Sequence, residues 1–307
     1  MDTTLRQKLK DMVSGKVLFD EPMSHHTSIG VGGIADAVVW PERSEELSRI
    51  IRFLWHSRIP FVPLGNGTNL IVKDGGYKGV VVSMQGLNSL SLEERSSSQM
   101  LVMAGAGVTL SEIVLLSEKK ALSGMEFCAG IPGSVGGAVR MNAGAYGKEI
   151  KDVVDTVELM IISGEILSSK KDDLKFAYRN LDISEGTIII GASFLLTRGI
   201  AEQIHARINE ILGKRKDKHP LEYRNAGSIF KNPNGGVPAG QIIDELGLKG
   251  KRIGDAQISE KHGNFIVNLE NAKANDIIAL IDMIKAKVDE ERGIKLQTEV
   301  KIVGEDG

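Results

Sequence analysis

The sequence predicts an α+β protein with a larger first part and a smaller second part. Short β-patterned segments alternate with amphipathic helical segments throughout the 307 residues, and the pattern changes near residue 200. Two glycine-rich segments lie between strand-like runs of the first part. A chain of this length is long for one hydrophobic core. We therefore expect a domain over residues 1–199, with two subdomains that divide near 85–100, and a domain over residues 200–307.

The composition excludes several classes of protein. Hydrophobic residues make up 42% of the chain and charged residues 25%, as in soluble globular proteins, and the net charge of −2 gives no reason to expect a nucleic-acid partner. The single cysteine, Cys128, excludes an internal disulfide and a cysteine-rich metal site. Because the sequence has neither a long apolar run nor a signal-peptide core, we expect a cytoplasmic protein without a membrane partner. No pattern implies an oligomer, and we expect a monomer.

The first sixty residues are predicted to form two helices and a strand. Residues 3–14 have the pattern of a short helix, and a glycine-rich loop follows the pair His25-His26. Two adjacent imidazoles do not easily chelate one ion and no third ligand is near, so a structural or hydrogen-bonding role is favoured over a metal site. After a strand over 36–40, Ser44 is expected to cap a helix with apolar residues at helical spacing.

The first glycine-rich segment is GNGTN, from Gly65 to Asn69. It joins two apolar runs, residues 60–64 and 70–72, that are typical of strands. Asparagine and glycine tolerate left-handed backbone conformations, and consecutive N–H groups in such turns form a concave site for anions. The loop is not a GxGxxG dinucleotide motif, because strand-like residues rather than a helix follow it, and no GxxxxGK[ST] motif occurs. By itself, such a loop is more often an ordinary hairpin turn.

The chain between the two glycine-rich segments is predicted to contain strands and one helix. We expect strands near 79–84 and 101–104, with the Ser/Glu-rich stretch 89–99 between them as a polar turn. Thr109 is followed three residues later by glutamate, which is the spacing of a capping box at the start of a helix over 110–119.

The second glycine-rich segment, GIPGSVGGAVRMNAGAYG, runs from Gly130 to Gly147 and contains six glycines. Glycine at this density allows positive φ angles and a close approach of the backbone to another group, most often phosphate. Tight packing of a helix against a sheet is the alternative. Two such segments, both flanked by β-patterned residues, favour a large phosphate-bearing cofactor. Cys128, just before this segment, is expected to be a buried structural thiol.

The last third of the chain is expected to form a compact α+β domain of order β-α-β-β-α-β. It follows strands near 153–163 and 187–197 and a helix over 201–213, whose basic end complements the helix dipole. The expected elements of the domain are a β-like Ser228–Phe230, a helix over 238–246, strands over 255–258 and 264–268, a helix capped by Asn275 and ended by Gly293, and a strand over 296–303.

Together the motifs resemble one family of flavoenzymes. GNGTN, the Gly130–Gly147 segment, YR at 178–179, NAGSIFKNP at 225–233 and the terminal TEVKIV are similar in sequence and order to those of UDP-N-acetylenolpyruvoylglucosamine reductases. These enzymes, also called UDP-N-acetylmuramate dehydrogenases, serve peptidoglycan synthesis. The resemblance covers nearly the whole chain. It implies an FAD-binding fold of the vanillyl-alcohol oxidase type, with two α+β subdomains, followed by a smaller α+β substrate-binding domain of the subtype without an inserted tyrosine-bearing loop.

The resemblance also implies ligands and the residues that bind them. The ligands are non-covalent FAD, NADPH as hydride donor, and the enolpyruvyl ether of UDP-N-acetylglucosamine; no metal is implied. Lys218 and Asn232 are expected to hold the substrate diphosphate, with Lys231 beside them. The residues expected to contact FAD are Gly65, Asn66, Gly67, Thr68, Asn69, Leu70, Gly130, Gly133, Ser134, Gly137, Asn142, Ala143, Gly144 and Arg224.

The implied reaction adds a hydride and a proton across an enol ether. Reduced flavin delivers the hydride to the methylene carbon, and charge then develops on the conjugated carboxylate, where it must be stabilised. By resemblance, Arg179 and Glu299 stabilise this charge, and Ser228 donates the proton to the neighbouring carbon. Arg140 is assigned no role.

Pattern alone leaves other assignments open for these three residues. Arg179 would be placed in a surface salt bridge, and Ser228 in a glycine turn. Glu299 lies on the polar side of its strand and would be called solvent-exposed. To help an enolate, Glu299 would have to be protonated, which requires burial or a raised pKa.

Two other functions compete with the reductase. Flavin oxidases of the same fold often tether FAD through a histidine near the first phosphate loop, but no histidine lies between His56 and His205. A flavin-binding sensor or carrier without turnover would have no need of Arg179, Ser228 and Glu299 together.

Overall fold

The computed structural model describes residues 1–233 and 235–307, and helices and strands are mixed along them. The helices are α1 (Thr3–Met12), α2 (Ser44–His56), α3 (Leu110–Lys119), α4 (Val135–Arg140), α5 (Ala201–Lys218), α6 (Ala239–Glu245) and α7 (Ala274–Arg292). The strands are β1 (Val17–Pro22), β2 (Ile34–Val39), β3 (Phe61–Leu64), β4 (Leu70–Val72), β5 (Tyr77–Ser83), β6 (Leu90–Ser96), β7 (Gln99–Gly105), β8 (Leu122–Ser123), β9 (Gly144–Ala145), β10 (Lys148–Glu149), β11 (Val154–Met160), β12 (Ile166–Lys170), β13 (Lys175–Ala177), β14 (Asn180–Asp182), β15 (Ile188–Arg198), β16 (Arg224–Asn225), β17 (Arg252–Ile253), β18 (Ala256–Ile258), β19 (Ile266–Asn268) and β20 (Lys301–Val303). Within these residues, no helix has both the length and the apolar character needed to cross a membrane.

Two helix boundaries illustrate how directly local sequence determines local structure. The predicted capping box is present: Thr109 Oγ1 accepts a hydrogen bond from Glu112 N at 3.1 Å, and Glu112 Oε2 accepts one from Thr109 N at 2.8 Å. At the end of α7, Gly293 adopts the predicted left-handed conformation with φ 64°. Both motifs need only neighbouring residues, so sequence predicts them well.

The predicted polar turn at 89–99 is wrong, because its first residues form strand β6. Leu90 and Leu92 pack on the core, whereas Ser91 and the charged residues after Leu92 are exposed. Strand β6 pairs with β7 across a short turn. The polar composition belongs to an edge strand, where charged side chains discourage pairing with another chain.

Two predicted helix caps are also corrected. Ser44 is the first residue of α2 rather than its cap, and Asn275 lies within the first turn of α7. At α7 the capping groups come from far away in sequence: the Asp74 carboxylate accepts hydrogen bonds from Ala274 N at 3.0 Å and Asn275 N at 2.9 Å. A cap supplied by a distant loop leaves no signal in the sequence around the helix.

Other boundaries differ in length. Helix α5 continues to Lys218, beyond the predicted end at 213. The last strand is regular only over Lys301–Val303, while Thr298 makes an isolated bridge with Phe230.

The chain divides into two compact units that interleave along the sequence. The first unit is Met1–Phe19, Ala37–Asn66 and Gly79–Lys214, and the second is Asp20–Asp36, Gly67–Lys78 and Arg215–Gly307. The predicted domain boundaries stay predictions.

The first unit is built around an antiparallel sheet of order β12-β11-β15-β7-β6, in which β8 also pairs with β15. Apolar residues of one sheet face, such as Val102 and Phe194, are buried with Ile113 of α3 and Val135 of α4. A second core of this unit joins α2 to the parallel pair β3 and β5, where Phe61 lies opposite Val80.

The second unit contains an antiparallel sheet of order β16-β19-β18-β17. Residues Ile277, Leu280 and Ile284 of α7 are buried in one core with Ile258 and Ile266 of the sheet. Strand β20 pairs in parallel with β4. The order β-α-β-β-α-β is present, with β17 as an additional strand. Its first strand is β16 rather than the predicted Ser228–Phe230, where only Phe230 makes an isolated bridge.

We expect Asp74→Ala to lower the free energy of unfolding by about 1 kcal/mol, because two N–H groups at the start of α7 lose their acceptor. Asp282→Ala, which removes an exposed carboxylate from the middle of the same helix, should have little effect. Denaturant unfolding of the two variants measures the difference. Equal stability of both variants would show that the Asp74 cap contributes nothing.

Candidate active site

In the first unit, the glycine-rich segment is anchored to the chain that precedes α3. Val135 N donates to Val108 O at 2.8 Å, and Gly136 N donates to Ala106 O at 3.0 Å. A Cβ on Gly136 would lie 2.9 Å from the Ala106 Cβ, closer than side chains normally approach. Close packing, the alternative considered for this segment, therefore accounts for Gly136.

Ser134 and Gly65 form a different kind of contact in this unit. Ser134 is 1% exposed, and in the described part of the chain its Oγ has no hydrogen-bond partner. A Cβ on Gly65 would collide with that Oγ, and one on Gly137 would lie 3.9 Å from it. A buried hydroxyl normally has a partner, so one between two bare glycine backbones fits an external acceptor such as a phosphate oxygen. These residues therefore fit a phosphate-bearing cofactor.

The other predicted cofactor residues of the segment lie in its turns. Gly130 and Gly133 have φ angles of 70° and 139°, which other residues rarely adopt. The Ala143 backbone is held by hydrogen bonds from its N to Ala138 O and from Ile150 N to its carbonyl. The side chain of Asn142 is fully buried and bonded within the protein.

Arg179 is held against this same segment. Its Nη2 donates to Gly144 O at 3.1 Å, and its guanidinium lies 5.1 Å from the centre of the Tyr178 ring. Tyr178 and Arg179 form the turn between β13 and β14. The structure thus brings the predicted charge-stabilising arginine to the segment predicted to hold the cofactor.

In the second unit, the rest of the GNGTN loop lies beside Glu299. Gly67 has φ 63° and approaches the His26 carbonyl so closely that a Cβ would collide with it. Asn69 Nδ2 donates to Glu299 O at 3.2 Å, and Asn69 O accepts from Lys301 N at 3.0 Å. Leu70 pairs with the same Lys301.

Short backbone pairing joins the residues directly after Ser228 to the segment that contains Glu299. Glu299 N donates to Ile229 O at 2.7 Å, and Lys231 N donates to Gln297 O at 2.9 Å. We call this pairing of residues 229–231 with 297–299 the Ser–Glu ladder. Ser228 and Glu299 are both half-buried, so the solvent-exposed position predicted for Glu299 from alternation is wrong.

Sequence analysis missed Asn264, which fixes the Ser228 side of this ladder. Asn264 Oδ1 accepts from Phe230 N at 2.9 Å, and its Nδ2 donates to Phe230 O at 2.8 Å. Its backbone carbonyl accepts from Ile229 N at 2.9 Å, and the residue is 4% exposed. An asparagine before a strand has no distinctive pattern, so only the fold identifies it.

The predicted ligand-binding side chains of the second unit differ in environment. The Arg224 guanidinium lies on Gly30, where a Cβ would be 2.8 Å from Nη1. Asn232 Oδ1 accepts from Ala239 N at 3.1 Å at the start of α6. Lys231 is half-buried, and Lys218 is exposed at the end of α5.

Positive charge is concentrated around Lys218. Burial, together with the charges of Arg215, His262, Lys261 and Lys218, lowers the pKa of the neighbouring His219 to about 4. The His219 ring packs against Phe265 and His262, with ring centres 5.0 Å and 5.6 Å apart. His219 is therefore neutral near pH 7, and the cations around it make this surface attractive to anions.

The histidine pair and Cys128 have the structural roles that the sequence predicts for them. His26 Nε2 and His25 Nδ1 lie 2.9 Å and 3.3 Å from Glu21 Oε1, which confirms a hydrogen-bonding role for the pair. Cys128 is 1% exposed, as predicted for a structural thiol. Over residues 1–233 and 235–307, no group of three or more His, Cys, Asp or Glu side chains is arranged to hold a metal ion.

Comparison with known proteins identifies the class of protein. Residues 35–170 match a family model described as an FAD binding domain, and residues 219–303 match the C-terminal domain of UDP-N-acetylenolpyruvoylglucosamine reductase. The predicted fold class is confirmed, and the chain is an FAD-dependent oxidoreductase.

Full-length relatives identify the family. The chain is 55% identical over 306 residues to the UDP-N-acetylenolpyruvoylglucosamine reductase of Syntrophus aciditrophicus, with 100% of this chain and 98% of the relative covered. It is 43% identical over 291 residues to that of Geobacillus kaustophilus, with 94% of each covered. The crystal structure of the enzyme from Thermus caldophilus superposes with a TM-score of 0.79 at 35% identity, covering 94% of this chain and 98% of that one. The chain belongs to the UDP-N-acetylenolpyruvoylglucosamine reductase family.

We expect His219 to make the stability of the protein depend on pH. Its pKa is lowered in the folded protein to about 4 from 6.5, so the unfolded chain binds a proton first as the pH falls. The stability contributed by neutral His219 is present above pH 6.5 and is lost as the pH falls toward 4. Denaturant unfolding at several pH values should show a shallower loss of stability in His219→Gln than in the wild type.

Substitution of His56, an exposed histidine of α2, is the control. His56→Gln should retain the wild-type pH dependence. Identical curves for His219→Gln and the wild type would contradict the assignment of a neutral His219.

Proposed function

We propose that the chain uses NADPH to reduce the enolpyruvyl ether of UDP-N-acetylglucosamine to UDP-N-acetylmuramate. The observation that carries this proposal is the Ser–Glu ladder, in which Ile229, the residue after Ser228, is bonded to Glu299. Arg179, held at the cofactor segment, supplies the permanent positive charge that a developing enolate requires. Both substrates are soluble nucleotides, in keeping with the expected cytoplasmic enzyme.

The cofactor residues would hold FAD through its phosphates. Ser134 Oγ and the bare backbones at Gly65 and Gly137 supply one part, and the turn at Gly67 supplies another. The chemistry that bound FAD would supply is the transfer of a hydride from NADPH to the methylene carbon of the enolpyruvyl group. No histidine lies between His56 and His205 in the sequence, so non-covalent binding is proposed.

Arg179 is proposed to bind the enolpyruvyl carboxylate. The hydride converts the conjugated carboxylate to an enolate, and the added charge is spread over oxygen atoms that a guanidinium can bind in pairs. The hydrogen bond to Gly144 O holds the guanidinium at the glycine-rich segment. Because the charge is largest after hydride arrival, this contact strengthens in the transition state.

Ser228 is proposed to donate the proton that completes the addition. The hydroxyl proton moves to the carbon beside the carboxylate, the enolate electron pair forms the new C–H bond, and the serine oxygen recovers a proton from solvent. A hydroxyl is a weak acid, so the transfer depends on a fixed position next to a strongly basic carbon. The Ser–Glu ladder and Asn264 fix the backbone directly after Ser228.

Glu299 is proposed to be the second group at the enolate, acting in its protonated form, because a carboxylate anion would repel the developing charge. Its backbone is held on both sides, by Ile229 O and by the Asn69 side chain.

The substrate diphosphate is proposed to bind Lys218, Lys231 and Asn232, where the positive surface around His219 attracts anions.

The proposal is tested by following the flavin absorbance through each half of the reaction. NADPH alone should bleach the flavin, and the enolpyruvyl nucleotide should restore its colour without oxygen. Sustained NADPH oxidation should require the enolpyruvyl nucleotide. A sensor or carrier would show no such turnover, and an oxidase would consume oxygen in its place.

Ser228→Ala should slow only the second half of this reaction. We expect flavin reduction by NADPH to stay within about twofold of wild type, and reoxidation by the enolpyruvyl nucleotide to slow about 10²–10⁴-fold, the usual contribution of a general acid. Stopped-flow absorbance measures both rates. Ser97→Ala, which removes a hydroxyl from the exposed turn between β6 and β7, should change neither.

Other outcomes have different meanings. If Ser228→Ala slows both halves equally, Ser228 shapes the flavin site and is not the proton donor. If neither rate changes, the proton comes from another group.

A further inference from the structure

The turn that carries Arg179 is conformationally unfavourable. Ala177 pairs with Asn180, so Tyr178 and Arg179 alone connect β13 to β14. Arg179 adopts φ 55°, a left-handed conformation that is unfavourable for a non-glycine residue. Such a conformation persists only where surrounding contacts enforce it.

Arg140, to which the sequence assigned no role, contacts the chain after this turn. Its Nη1 donates to Asn180 Oδ1 at 3.0 Å and also to the Leu181 carbonyl. Burial lowers the pKa of the guanidinium, and the nearby Asp182 carboxylate opposes that shift. Arg140 is the last residue of α4, it is partly buried, and its guanidinium bonds two residues of β14. It is therefore a specific tether between α4 and β14 rather than a surface charge.

Asn142 contacts the chain before the turn. Its Nδ2 donates to Ala177 O and to Glu149 Oε2, each at 3.0 Å, and its Oδ1 accepts from Lys151 N at 3.0 Å. The residue is fully buried and has φ 41°, a conformation that asparagine tolerates better than most residues. Its side-chain groups are therefore committed to protein partners, and any contact with FAD falls to its backbone.

We propose that Arg140 and Asn142 are positioning residues for Arg179. One tether lies before the Arg179 turn and one after it, and both start from the segment whose Gly144 carbonyl accepts from Arg179. The segment that holds the cofactor phosphates thereby also sets the place of the guanidinium. This inference rests on the proposed role of Arg179 at the substrate carboxylate.

The first test compares Arg140→Met and Asn142→Ala with Lys175→Ala, an exposed position on β13. Amide hydrogen exchange over residues 177–181 should become faster in the two tether variants and stay unchanged in the control. Reoxidation of reduced flavin by the enolpyruvyl nucleotide should slow about 10- to 100-fold, because small misplacement of a catalytic group has effects of that size. The reoxidation rate of Arg140→Lys, which keeps a cationic donor at this position, should lie between the rates of Arg140→Met and the wild type.

The second test separates positioning from general destabilisation. In an Arg179→Ala background, Arg140→Met should slow reoxidation by less than about twofold further, because the group it positions is already absent. A full additional loss in that background would overturn the inference. Wild-type rates of amide hydrogen exchange and of flavin reoxidation in Arg140→Met and Asn142→Ala would also overturn it. If either variant fails to fold, the same two rates measured in Arg140→Lys decide the question.

Failure of the proposed function gives a different result. If Arg179→Ala itself leaves reoxidation at the wild-type rate, the role of Arg179 at the substrate is wrong. If Arg179→Ala slows reoxidation but the tether variants do not, only the positioning role is wrong.

Discussion

The Ser–Glu ladder is the constraint on which the proposed chemistry depends. A serine hydroxyl is a poor acid, and it can protonate carbon efficiently only if its approach is fixed before the reaction. Here the chain after Ser228 is bonded on one side to Glu299 and Gln297 and on the other to Asn264. Loss of one partner of such buried backbone bonds costs about 1–3 kcal/mol, enough to loosen the segment without unfolding the protein.

The glycine-rich segment provides the corresponding constraint in the first unit. Its residues have three separate functions: Gly136 allows close packing on Ala106, Ser134 faces Gly65 with an unsatisfied hydroxyl, and Gly144 accepts from Arg179. Glycine density therefore does not have a single explanation. Tight packing restricts the movement of the segment, as both the proposed phosphate site and the contact with Arg179 require.

Sequence was sufficient wherever a feature depends on adjacent residues. The capping box at Thr109, the Gly293 helix end and the β-α-β order of the last third follow from local patterns. The proposed catalytic roles of Arg179, Ser228 and Glu299 come from the resemblance to a family rather than from the residues alone. Features that join distant segments were not predictable. The Asp74 cap of α7 and the Asn264 bonds to Phe230 require a partner that only the fold supplies. The half-burial of Glu299 likewise arises from pairing with residues near 229, which alternation along its own strand cannot show.

The most direct test of the account is the rate of flavin reoxidation in Asn264→Ala, measured alone and combined with Ser228→Ala. If Asn264 acts by fixing Ser228, the single substitution slows reoxidation at least about tenfold, leaves flavin reduction by NADPH unchanged, and adds little once Ser228 is absent. Reoxidation should slow less in Asn264→Asp, which keeps the acceptor for Phe230 N. It should keep the wild-type rate in Asn271→Ala, which changes an exposed residue. A wild-type reoxidation rate in Asn264→Ala, or an equal further loss in the Ser228→Ala background, would contradict the account.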